Sequence, residues 1–490
     1  ALQWYEAVET VDMDDEIRWK IALGEDDIWQ QLADLVGQEQ ALAKMQPLTK
    51  TPLQQAIYAN RLARLKREMG DDDGSLLAAR EALTAALVAK NIDEQVKSQA
   101  CLAQIYYNMG SFWEAAMCLE IALCLPCSIE VKAHMLNMRG MVAAEMGQPS
   151  VAHEQYRKAL LAYREIGDRW GEAQTLGNIG SVAATEGDYS VAMSRLEAAL
   201  VLWERIGDQI QIADIQVNLG DTARRVGDYG LARKYLRSAI STFEIYGRRN
   251  RLWQARHNLF NVMIDSGELT EAEAGLRALL STRADDRSRA LLLTDLAYLY
   301  LQQDNTVYAR TTADVAVELW KQDSHQPLYQ VATAILAAAG QPDYQAWYFL
   351  TQTEDADLDN VPYQAWLFWY KGFLNSEEVD KAQVAISQGI KALFSQARRL
   401  ANVYHRYTFM HIVPPSVELL TIWRTMVLSE PERTPDAYWA GIELWKLRLN
   451  TLAEPFLDYV LEEVETGRYS ASKEEMDTFE AAYIDVFGLD

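Results

Sequence analysis

The 490-residue chain sets 70 acidic residues against 46 basic ones, a formal net charge of −24. A surface this acidic repels nucleic-acid phosphates and anionic membranes, which argues against either as a general partner. Hydrophobic residues make up 49% of the chain, with only 12 prolines and 25 glycines, which excludes a disordered chain and favours helix over sheet.

Four cysteines, Cys101, Cys118, Cys124 and Cys127, are too few for a disulfide framework and suit a reducing, cytoplasmic compartment. The mostly apolar run from Val331 to Ala339 falls well short of the ~20 residues that span a bilayer. The chain opens at Ala1 without a Met or a signal-peptide pattern. Processing, or excision from a longer protein, is the expectation.

Residues 1 to about 46 read as two or three helices, with Trp4, Trp19, Trp29 and Leu32 on apolar faces. An N-terminal helical cap over residues 1–52, or the tail of a preceding domain, is the expectation. Pro47 and Pro52 break the pattern, because proline disfavours helix at and before itself.

A period then sets in. Ala63, Gly70 and Ala82-Leu83 recur 40 residues later as Ala103, Gly110 and Ala122-Leu123, and 37 residues after that as Gly140, Gly147 and Ala159-Leu160. Next come two near-copies exactly in step at 40. Asn178-Ile179-Gly180, Gly187-Asp188-Tyr189, Ala192, Leu196 and Ala199 are followed by Asn218-Leu219-Gly220, Gly227-Asp228-Tyr229, Ala232, Leu236 and Ala239. A third begins at Asn258, with Phe260 in the glycine slot and Gly267 in the turn. A fixed period of this size means stacked supersecondary units. Each unit reads as a first helix stopped by glycine and a second helix after a short turn. The pattern is clearest over 57–282, extends through 53–355, and degenerates over 356–490. There, Trp366–Phe373, Val379–Ala401, Val417–Leu428, Ala437–Leu449, Leu452–Val464 and Ser472–Phe487 read as divergent helices ending in a C-terminal cap. Pro455 is expected in the first turn of its helix.

These matched positions resemble the tetratricopeptide repeat in a 40-residue form, similar to the sensor arms of MalT-like signal-transduction ATPases. Unlike the family consensus, most units lack a proline after the second helix. The resemblance implies an all-α, right-handed α-solenoid of helix hairpins whose first helices face a concave groove. It also implies a protein, peptide or small-molecule effector as partner. In the family, asparagines on that face hold a bound peptide's backbone, since one amide both donates and accepts. Asn178, Asn218 and Asn258 occupy that slot, and by the same register Gln174, Asp221, Arg224, Arg225, Gln254, His257 and Asn261 would line the groove. Arg224-Arg225 could grip a carboxylate. Ion pairing within the chain is the competing role for the arginines, and bonding to neighbouring helices for the asparagines.

No phosphate-binding glycine loop, nucleophile elbow or metal-ligating histidine spacing occurs. Cys124-Leu125-Pro126-Cys127 has redox-dithiol spacing, but it ends a helix instead of joining strand to helix. The six histidines are His134, His153, His257, His325, His405 and His411. The expectation is a non-catalytic binding module or scaffold without cofactor or metal. The alternatives are the sensor region of a larger ATPase or transcription activator, or an enzyme using His405 or His411 after residue 356.

Overall fold

The computed structural model describes residues 14–32, 34–282, 285–321, 327–352 and 362–488. Trp4, His325 and the boundary placed at 355/356 lie outside them. Among the described residues there are 25 α-helices and no strand. None of these helices is long and apolar enough to cross a membrane. The chain divides into two compact units, up to Val182 and from Ala183.

The first unit starts with the antiparallel helices Asp15–Gln31 and Leu35–Met45. Trp19, Ala22, Leu42 and Met45 pack with Leu65 of the next helix, Pro52–Glu68. Leu32 departs from the expected apolar face: it lies at the helix C-cap and is 60% exposed. Three hairpins follow, Pro52–Glu68 with Asp72–Val88, Ile92–Asn108 with Phe112–Leu123, and Ile129–Glu145 with Pro149–Ile166. First helices begin at 52, 92, 129, 169, 209 and 249, which reproduces the sequence periods of 40 and 37.

The second unit holds the helix Tyr189–Ile206 and the hairpins Gln209–Arg225 with Tyr229–Ile245, Arg249–Asp265 with Leu269–Ser281, and Asp286–Gln302 with Thr306–Trp320. Gly-Asp-Tyr explains itself in the turns. Gly187 and Gly227 take φ of +78° and +84°, where only glycine is unstrained. The next residue, Asp188 or Asp228, caps the second helix by accepting the amide N–H of Val191 or Leu231 at 3.0 Å. Where the two helices of a pair cross, a Cβ on Gly220 would come within 2.6 Å of Leu236. In the next copy Phe260 fills that slot and the second helix compensates, with Gly275 beneath the ring.

After the helices Pro327–Ala338 and Tyr344–Gln352 come Tyr363–Asn375, Val379–Arg399, Val403–His411, Pro414–Ser429, Thr434–Lys446, Asn450–Glu465 and Lys473–Phe487. The sequence pattern missed Val403–His411. It also misplaced Pro455: the helix begins at Asn450, so the proline lies just past the first turn, inside the helix. Several consecutive first helices touch, as Gln209–Arg225 does Arg249–Asp265 and Asp286–Gln302 does Pro327–Ala338, while the second helices of these hairpins make no comparable contact with one another. Each array therefore curves with its first helices inward. The fold is an all-α solenoid of helix hairpins.

Candidate functional site on the inner helices

On the inner side of the second unit, the last turn of Gln209–Arg225 presents Asp221, Arg224 and Arg225. Arg224 donates through Nη1 to Asp265 of the next first helix at 2.6 Å, and through Nε and Nη2 to Asp221 at 3.3 Å. Arg225 donates through Nε to the other Asp221 oxygen at 2.8 Å. Its terminal nitrogens meet no protein acceptor among the described residues, and its side chain is 41% exposed. The two adjacent arginines are therefore unequal: the fork of Arg224 is spent within the chain, and that of Arg225 is half open.

Burial works to raise the Asp221 pKa, but Arg225 and Arg224 outweigh it and hold the carboxyl well below the usual range. Burial likewise disfavours the charge on Arg224, yet Asp265 and Asp221 hold it firmly protonated. Asp265 goes the other way: burial, with help from Asp295 and Asp221, pushes its carboxyl up in spite of Arg224. Water still reaches these groups, since Arg224 is 19% and Asp265 11% exposed. They are partly accessible and not sealed in a core.

A second rung joins the following first helices. His257, almost fully buried, holds Asp295 at 2.5 Å through Nε2 and is stacked on Trp253. Asn261 Nδ2 lies 3.3 Å from the same ring nitrogen, while Asn261 Oδ1 is buried without a partner. Turning that amide over would let the oxygen face the imidazole N–H. Gln254 is exposed and Asn258 half-buried on the same helix. Asn218 is half-buried one repeat earlier.

Tyrosines enclose the network. The Tyr229 hydroxyl is buried without a hydrogen-bond partner, and burial together with Asp265 pushes its pKa up. Burial does the same to Tyr298 and Tyr363, both within electrostatic reach of Asp265. Tyr363 accepts a hydrogen bond from Ser416 at 2.9 Å.

Gln174 and Asn178 belong to the first unit. There Asn178 donates to Asn137 at 3.1 Å, and Thr175 donates to the same oxygen at 3.2 Å. Asn178 thus bonds a neighbouring helix, and Gln174 Oε1 is buried without a partner. Register reasoning passed over Asn137 because it precedes Gly140 by three positions, where Asn178 precedes Gly180 by two. It also missed Asp265 and Asp295. Asp265 was within reach, because it fills the slot of Arg225 one period on. All four cysteines are free thiols. Burial pushes Cys118 up to about 11, opposite to a reactive thiol. Among the described residues no three acidic, histidine or cysteine side chains converge as a metal site.

Residues 171–245 match the family model of the tetratricopeptide repeat. No curated protein matches the chain. Among solved structures, a Rap protein complexed with competence and sporulation factor is 12% identical; the match covers 71% of this chain and 100% of that one, with a TM-score of 0.56. A signal-transduction ATPase with a tetratricopeptide repeat sensor from Pyrococcus horikoshii is 14% identical over 77% of this chain and 56% of that one, with a TM-score of 0.49. NprR in complex with its cognate peptide NprX is 13% identical over 84% and 99%, with a TM-score of 0.45.

Proposed function

We propose that this chain, whose residues 171–245 match the tetratricopeptide repeat, is a binding module whose second unit takes an extended peptide or partner segment along its inner helices. The observation that carries the reading is the open guanidinium fork of Arg225, fixed at its Nε by Asp221. A fork held on one edge and open on the other is pre-organised for a carboxylate. Half-buried Asn218 and Asn258, with exposed Gln254, supply amides that suit a peptide backbone on either side of it. The complex of the similarly folded Rap protein with competence and sporulation factor supports a ligand-taking role. A regulatory setting, with the ligand as signal, is part of the same reading.

An array of short peptides, each made with a free and with an amidated C-terminus, tests it. The intact chain should retain a subset of the free-carboxylate peptides. Arg225→Ala should weaken that retention at least tenfold, and Asn218→Ala with Asn258→Ala should weaken free and amidated forms alike. An identical retention profile for wild type and Arg225→Ala would sink the reading.

A further inference from the structure

The second unit contains a contact between segments about 200 residues apart in the chain. The end of helix Val379–Arg399, the following link and the short helix Val403–His411 lie against the turns of two successive repeats. Arg399 donates to the carbonyl of Glu186. The amide of Ala401 donates to Ser190 Oγ at 2.6 Å. The Thr408 hydroxyl donates to the carbonyl of Val226. Leu400, Phe409, Met410 and Val413 are buried in one apolar cluster with Tyr189 and Val226.

The two turns engaged are the Gly-Asp-Tyr motifs. Their glycines have a second duty here beyond left-handed φ. A Cβ on Gly227 would lie 2.9 Å from the Thr408 carbonyl oxygen and 3.2 Å from Val413, and one on Gly187 would lie 2.8 Å from the Gln396 amide. Gly207 and Gly267, with φ of +85°, have nothing within 4 Å. So the chain's own later segment reads the repeat motif at two consecutive positions. It does so beside the candidate site: Val226 follows Arg225 in sequence, and Phe409 packs edge-on against Tyr363 at 5.6 Å.

We propose that residues 396–413 are an internal latch, bound in cis to the Gly-Asp-Tyr turns of two repeats, which narrows access to Arg225 and leaves when a partner segment enters. The proposal rests on the binding reading above only for its last clause. The latch holds through hydrogen bonds to turn atoms and through its buried apolar side chains. A partner that displaces it exposes Phe409 and Met410, so the partner must cover apolar surface as well as offer a carboxylate.

Gly227→Ala and Gly267→Ala test this on the intact chain. Both introduce the same left-handed strain, but only Gly227→Ala obstructs the latch. Thr408→Val, which keeps shape and removes the donor, is the milder companion. Hydrogen exchange of residues 403–413 should speed up at least tenfold in Gly227→Ala relative to Gly267→Ala, and several-fold in Thr408→Val. Phenylglyoxal labelling of Arg225, mapped by mass spectrometry, should rise in the same order. Equal exchange in the two glycine variants overturns the latch, as does faster exchange with unchanged Arg225 labelling. If the latch opens as expected while the wild type and Gly227→Ala both retain no arrayed peptide, the binding reading fails and the latch stands.

Discussion

The hairpins between Tyr189 and Ser281 and those after Tyr363 reach one geometry by different chemistry. In the earlier set, turns are made by glycine, and the helices Tyr189–Ile206, Gln209–Arg225 and Tyr229–Ile245 are started by aspartate caps. In the later set, the equivalent turns between Tyr363–Asn375 and Val379–Arg399, and between Thr434–Lys446 and Asn450–Glu465, place Glu377 and Arg448 at φ of +60° and +61°. The following helices start without a side-chain cap. Yet the crossing is alike: a Cβ on Gly441 would lie 2.8 Å from Leu457, and one on Gly220 2.6 Å from Leu236. What replaces local signals is aromatic burial. Trp366, Trp369, Phe373, Phe394 and Phe456 are almost fully buried, and Trp347 meets Phe373 edge-on with centroids 4.6 Å apart. Local turn and cap signals are thus dispensable where enough apolar area is buried, each contributing about 1 kcal/mol against ~3 for a large buried ring.

The largest expected effect follows from that difference. Phe394→Ala should cost about 3–5 kcal/mol and Leu236→Ala about 2–4. Local opening energies from hydrogen exchange should show the Phe394 loss spreading across the helices from Tyr363 to Phe487, since one cluster spans them. The Leu236 loss should stay within its repeat and its neighbours, as expected of a quasi-one-dimensional array. Confinement of both losses to a single hairpin would break the comparison.

A smaller effect tests whether the two regions share a crossing. Gly220→Val and Gly441→Val each force a side chain against a leucine, at a cost of about 1–3 kcal/mol from overpacking. Similar destabilisation at both sites, read by urea titration, would establish that the degenerate region keeps the packing of the clear repeats. A silent Gly441→Val would separate them.

The same contrast marks how much was legible in the sequence. Periodicity located the hairpins up to Trp320 because glycine stops recur in step. It lost the register where Glu377 and Arg448 took the left-handed position, since nothing in a Glu or Arg announces that conformation. The latch helix Val403–His411 escaped notice for a different reason. Its buried face is completed by Tyr189 and Val226, which no local window contains. Among the candidate site residues, register named Asp221, Arg224 and Arg225 but could not show which arginine is spent. That depends on Asp265 reaching across one repeat, a tertiary fact written one period downstream.

Acidification should separate the regions more gently. His405 lies in the latch helix with Nδ1 buried and unpartnered. Burial lowers its pKa below 6.5, against the pull of Asp228 and Glu197. The folded chain therefore favours neutral imidazole, and the unfolded segment binds the proton more readily. The latch is at full strength above pH 6.5 and weakens as pH falls from there toward the lower folded value. Exchange of residues 403–413, corrected for its intrinsic pH dependence, should be a few-fold faster at pH 5.5 than at 7.5, while residues 229–245 change little. His405→Gln should flatten that difference. A pH response that survives the substitution would place the titrating group elsewhere.

The smallest effect bears on the turns themselves. Glu377→Gly and Arg448→Gly relieve a left-handed strain of about 1 kcal/mol each but add freedom to the unfolded chain, which returns a large part of that gain. Arg448 also lies 3.5 Å from Asp485, a surface pair worth at most about 0.5 kcal/mol. Net stabilisation of a few tenths of a kcal/mol is expected for Glu377→Gly and less for Arg448→Gly, measurable as a small rise in the midpoint of urea unfolding. If either variant instead loses stability, the non-glycine side chain holds its turn by a contact that the comparison with Gly187 and Gly227 does not capture. The later hairpins would then be a separate solution to the turn, not the same one built from less suitable residues.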